Sequence, residues 1–127
     1  MKKIYLIIGL LFILSLANAA PIIITVQVAS FNPANTTAQC GDTIVWVWGN
    51  SGTHTTTSTT IPVCATSWNA PISATSFTFA ITVPCAGTYN YQCTPHLFTG
   101  TITVTCPNGI SVASNDYFSS SLVTIVS

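Results

Sequence analysis

The chain predicts an all-β fold, a sandwich or barrel of about seven to eight short strands. Three observations carry this. Runs rich in Val, Ile, Thr and aromatic residues recur with two-residue alternation, turn residues punctuate them every few positions, and no segment shows helical periodicity. That combination is the pattern of antiparallel sandwiches and barrels closed by Greek-key connections.

The elements follow in order. Ile22 to Val28 is β-branched and reads as the first strand. Phe31-Asn32-Pro33-Ala34-Asn35 reads as a turn region, and Gly41-Asp42 as a second turn. Thr43 to Trp48 alternates, with Trp46 and Trp48 on one face; Gly49 to Gly52 is a loop, and Thr53 to Thr60 a Thr-rich strand. Ile61 to Ala74 carries Pro62 and Pro71 and reads as an irregular crossover. Thr75 to Val83 places Phe77, Phe79 and Ile81 on one face, Thr88 to Cys93 follows a Pro84-Cys85-Ala86-Gly87 turn, and Gly100 to Thr105 closes the set. Trp46, Trp48, Phe77 and Phe79 are expected to pack in the core and between sheets.

The termini differ in composition from this body. Met1-Lys2-Lys3 is a basic start, Ile4 to Leu16 is apolar, and Ala17-Asn18-Ala19 supplies small residues, so residues 1–19 are expected to be a cleaved signal peptide rather than a retained anchor. Residues 20–106 form the domain. Residues 107–127 are a Ser- and Asn-rich tail ending Leu122-Val123-Thr124-Ile125-Val126, a linker or one further strand. Secretion, or release to a periplasm, follows from the leader, with no stable membrane insertion.

Cleavage would remove both lysines, leaving no Lys or Arg and only Asp42 and Asp116 as acids. A surface without cations offers nothing to nucleic acid. Sparse charge also removes the usual protection against edge-to-edge strand pairing, so self-assembly is possible. Asn35-Thr36-Thr37 matches a glycosylation sequon.

Chemistry concentrates in few residues. There are two histidines, His54 and His96, and five cysteines: Cys40, Cys64, Cys85, Cys93 and Cys106. In an oxidising compartment an odd number leaves one cysteine over, as an intermolecular partner, a free thiol or a metal ligand. Cys93 and His96 are three residues apart beyond a strand, with Pro95 stiffening the turn between them. A thiolate and two imidazoles are the planar ligand set of a mononuclear blue-copper centre. His54, after the Gly49 to Gly52 loop, is placed to supply the second imidazole. Singly, each of these side chains would be ordinary: a surface His, or half of a disulfide.

Gly41-Asp42-Thr43-Ile44-Val45-Trp46, Gly52-Thr53-His54-Thr55, Gly87-Thr88-Tyr89-Asn90-Tyr91-Gln92-Cys93-Thr94-Pro95-His96 and Thr99-Gly100-Thr101-Ile102-Thr103-Val104 together resemble the plastocyanin and amicyanin group of cupredoxins. The resemblance implies a cupredoxin-like Greek-key sandwich holding one copper ion, Cu(II)/Cu(I), at His54, Cys93 and His96. It also implies one-electron transfer with a redox or copper-transfer protein as partner, and no bond-making catalysis. The methionine that usually follows the second histidine is missing. Thr99 or Phe98 takes its place depending on how the loop is aligned, and Met1 is the sole methionine. With no axial donor, Cu(II) is less favoured relative to Cu(I) and the potential should rise. Leu97 and Phe98 are either loop packing or an apolar patch beside His96. Four cysteines remain and allow three pairings; the family topology implies Cys40 with Cys106 and Cys64 with Cys85, away from the metal.

Copper sequestration or delivery is an alternative use of the same site. A copper-free alternative also exists: Tyr91-Gln92-Cys93 looks like the tyrosine corner of an immunoglobulin-like module, with Cys93 bridged to Cys40 and a structural or adhesive role.

Overall fold

The structure is a computed structural model describing residues 19–107. The leader up to Asn18 and the tail from Asn108 lie outside the described residues. Among the described residues there are nine strands: β1 (Ile22–Val26), β2 (Phe31–Asn32), β3 (Asn35–Gln39), β4 (Thr43–Trp48), β5 (His54–Thr60), β6 (Asn69–Ile72), β7 (Thr78–Thr82), β8 (Gly87–Gln92) and β9 (Thr99–Thr105). They form two mixed sheets, ordered β2-β1-β4-β7 and β3-β9-β8-β5-β6. β1 with β4 and β3 with β9 are parallel; the other pairs are antiparallel. Among the described residues no helix is long and apolar enough to cross a membrane.

The strand count exceeds expectation for two local reasons. The segment expected to be a turn at Phe31–Asn35 instead passes from one sheet to the other: β2 pairs with β1, Pro33-Ala34 breaks the ladder, and β3 pairs with β9. A residue without an N–H suits such a sheet-switching corner. The crossover from Ile61 contains β6, a short edge strand whose Pro71 is exposed opposite Thr55.

Alternation builds the core. Ile24, Ile44, Trp46, Tyr89, Tyr91, Ile102 and Val104 point inward and are buried between the sheets. The Trp46 ring sits 5.1 Å from Tyr91 and 5.5 Å from Trp68. Trp68, from the crossover, is anchored by its indole N–H donating to buried Thr56 at 3.0 Å. Of the aromatics expected in the core, Trp48 is half-buried and packs at its edge, while Phe77 lies outside it. Phe77 precedes β7, is exposed, and packs edge-on against half-buried Trp48 at 5.5 Å. Trp48 donates its indole N–H to the Gly52 carbonyl at 2.8 Å, bracing the loop before His54.

Two bridges close one end. Cys40–Cys106 joins the ends of parallel β3 and β9 (Cα–Cα 4.9 Å), and Cys64–Cys85 ties the crossover to the turn before β8 (Cα–Cα 6.4 Å). The pairing drawn from the family topology is the one observed. The bridge from Cys40 to Cys93, required by an immunoglobulin-like module, is not formed, and Cys93 is the cysteine left unbridged.

Candidate metal centre

The end opposite the bridges is where β4 finishes, β5 starts, β8 finishes and β9 starts. His54 is the first residue of β5 and shares the inward phase of Thr56, so its ring is 2 % exposed. Cys93 follows the last residue of β8, continues the inward phase of Tyr89 and Tyr91, and is fully buried. His96 lies three residues on, in the exposed loop.

Backbone bonds shape that loop. The Leu97 N–H donates to the Cys93 carbonyl at 2.7 Å, and the Cys93 N–H donates to the Phe98 carbonyl at 2.9 Å. The turn requires Leu97 to adopt a left-handed conformation, with φ of 62°. This is an uncommon state for a residue carrying a Cβ and a sign of a constrained site.

The thiol sulfur of Cys93 lies 3.6 Å from His54 Nδ1 and 3.5 Å from His96 Nδ1. The three ligand atoms fall within 4.8 Å of one another. Metal–sulfur and metal–nitrogen bonds of about 2.3 and 2.0 Å, at angles between tetrahedral and trigonal, separate S from N by about 3.5–3.7 Å. The two observed S–N separations match those around one shared ion.

His54 is prepared for this role. Its Nε2 is 2.8 Å from the Ser51 carbonyl, which can only accept, so Nε2 carries the proton and Nδ1 presents a lone pair. Gly52 permits the approach. Its φ is +68°, and a Cβ there would come within 3.1 Å of His54 Nε2.

The apolar wall is Phe98. Its ring is 5.6 Å from that of His54, stacks on that of His96 at 6.2 Å, and meets Phe31 at 4.7 Å. Thr99 opens β9 opposite Gln92 and is exposed. Phe98 is thus the side chain lying against both imidazoles. Leu97 is 72 % exposed next to His96. Beneath the site lies Tyr91, whose ring occupies the space where a Cβ on Gly100, its cross-strand partner, would stand. Burial pushes the Tyr91 phenol up to about 12. The Trp46 indole opposes part of that rise, although among the described residues neither polar atom has a partner within hydrogen-bond geometry.

The sequence reading missed a set of hydroxyls beside the ligand loop, on Thr55, Thr57 and Thr94, together with the amide of Asn69. The signal for it was the Thr-rich composition of β5, whose outward positions flank the ligand His54.

Comparison with known proteins agrees with the geometry. Residues 23–105 match the family described as copper binding proteins, plastocyanin/azurin family. No curated protein sequence matches. Among solved structures, a reduced tryptophan-to-tyrosine mutant of amicyanin superposes with a TM-score of 0.60 at 22% identity, covering 70% of this chain and 88% of that one. The Cu(I) form of a methionine-to-alanine mutant of amicyanin gives 0.59 at 23%, with coverages of 70% and 88%. An oxidised proline-to-glycine mutant gives 0.59 at 21%, with 72% and 88%. These identities speak to the fold; the family match spans most of the described residues and includes all three ligand candidates. The chain therefore belongs to the plastocyanin/azurin family of copper-binding proteins.

Proposed function

We propose that this protein is an exported one-electron carrier using a single copper ion held by His54, Cys93 and His96. The observation that carries it is the convergence of one thiol sulfur and two Nδ1 atoms at 3.5–3.6 Å. Copper, when bound, supplies the Cu(II)/Cu(I) couple. Cys93 gives the thiolate, sealed from water by its burial. His54 is fixed in position and tautomer by Ser51. His96 is the exposed edge of the site, and Leu97 beside it offers apolar surface to a protein partner. Transient redox encounters bury little surface, so an edge of this kind can serve one. Phe98 contributes no donor atom, so the site favours Cu(I) more than a centre with a thioether would.

Two bridges support export to an oxidising compartment, in line with the apolar leader. A second reading, retention or delivery of Cu(I), is favoured by the same lack of an axial donor.

Cu(II) added to the purified protein should produce an intense visible thiolate-to-copper band, abolished in Cys93→Ser. A reversible one-electron wave in voltammetry then supports the carrier. Bound copper without such a wave shifts the function to copper handling, and absence of copper binding sinks both.

A further inference from the structure

Outside the ligand sphere, a ladder of uncharged side chains runs from the ligand loop across the outer face of the sheet. The Thr94 N–H, immediately after Cys93, donates to Thr55 Oγ1 at 2.9 Å. Thr94 Oγ1 donates to Thr57 Oγ1 at 3.1 Å. Thr57 Oγ1 also lies 3.1 Å from Thr55 Oγ1 and 2.9 Å from Asn69 Oδ1 on the neighbouring strand β6.

Each hydroxyl has one hydrogen and two lone pairs. Thr57 accepts from the Thr94 hydroxyl. Its own hydrogen faces two acceptors, Thr55 Oγ1 and Asn69 Oδ1, and is shared between them. Thr55 Oγ1 accepts from both Thr57 and the Thr94 N–H. The result is a closed ring of Thr94, Thr55 and Thr57, pinned at one corner to β6. Bonds that run head to tail polarise and strengthen one another.

We infer that Thr57 is a positioning residue for the metal centre. It touches no ligand atom, yet it is the one hydroxyl bonded to every other side chain in the ladder. Thr55 adjoins His54, and Thr94 adjoins Cys93. The ladder thus locks the chain after each of the two buried ligands to the other, through groups that do not titrate. It holds the Cys93–His96 loop in the same arrangement with or without the ion.

This inference rests on the copper reading for its spectroscopic test, but one arm needs no copper. In the copper-free protein, amide hydrogen exchange at Thr94 should speed about five- to tenfold in Thr57→Val, the factor expected for roughly 1 kcal/mol of lost local protection. Thr57→Ser, which keeps the hydroxyl, should exchange as the parent does. Asn69→Ala, which releases only the far corner, should give a smaller increase. In the copper-loaded protein, Thr57→Val should alter the ratio of the thiolate-to-copper bands and speed copper loss to a chelator, with Thr57→Ser restoring both. If Thr57→Val lowers thermal stability but leaves Thr94 exchange and the band ratio at parent values, the residue is merely structural and the inference is overturned. Should Thr57→Val fail to fold, Asn69→Ala and Thr94→Val decide it by the same two readouts. Failure of the parent to take copper would defeat the functional reading alone, because the exchange arm still judges the ladder.

Discussion

The two ends of the sandwich are held by different physics. At the closed end, two covalent bridges join strand termini and turns: Cys40–Cys106 spans 66 residues and Cys64–Cys85 spans 21. At the metal end, order comes from single hydrogen bonds and packing: Ser51 on His54, the Thr55–Thr57–Thr94 ring, Trp48 on Gly52, and Phe98 on both imidazoles. The closed end is stabilised mainly by constraint on the unfolded chain, which is indifferent to fine geometry. The metal end must place three atoms to within fractions of an ångström, and it exposes His96 and Leu97 to do so. Stability and function are thereby assigned to opposite ends, and four of the five cysteines are kept away from the ligand thiol.

The division can be broken from either side. The largest effect should come from the long bridge. Replacing Cys40 and Cys106 together by Ala should cost about 4 kcal/mol in denaturant unfolding, by the entropy of a loop of that length. The visible spectrum of the copper-loaded protein should not change; a spectral change would show that the two ends are coupled.

Gly100→Ala attacks the metal end through packing. The new Cβ would meet the Tyr91 ring and drive it toward Trp46, so a loss of about 1–3 kcal/mol is expected from overpacking. Here the spectrum should change as well, because Tyr91 also contacts Phe31, which packs on Phe98. An unchanged spectrum would mean the core absorbs the strain.

Alkali gives a milder test. The Tyr91 phenol ionises near 12 in the folded protein, against 10.0 when unperturbed. Its contribution is whole below pH 10 and is lost as pH rises from there through 12, because only the unfolded chain ionises in that window. Stability should fall by up to about 1.4 kcal/mol per pH unit across it. Tyr91→Phe should flatten that slope at little cost near neutrality, since among the described residues the Tyr91 oxygen has no partner to lose. A slope that persists in Tyr91→Phe would place the alkaline transition in another group.

Much of the site was readable along the chain because its information is local. Cys93 and His96 share one loop, β8 delivers Cys93 inward by simple alternation, and Ser51 precedes His54 by the three residues its carbonyl contact needs. The odd number of cysteines marked one thiol as unpaired, and the family pattern chose which. The outlying hydroxyls were not readable, since Thr55, Thr57, Asn69 and Thr94 come together only through the pairing of β5 with β6 and β8. Phe77 misled for a related reason. It shares the alternation phase of Phe79 and Ile81, but it precedes β7 and is exposed.

By itself, then, the sequence determined an all-β chain, a surface nearly free of charge, and the ligand types with one loop's spacing, because periodicity and composition act residue by residue. Tertiary structure decided the rest. It made Pro33-Ala34 a sheet-switching corner, turned the Phe98 ring onto both imidazoles, and closed the hydroxyl ring around Thr57. Each of these depends on which atoms of distant segments lie within bonding distance, and only the register of the strands specifies that.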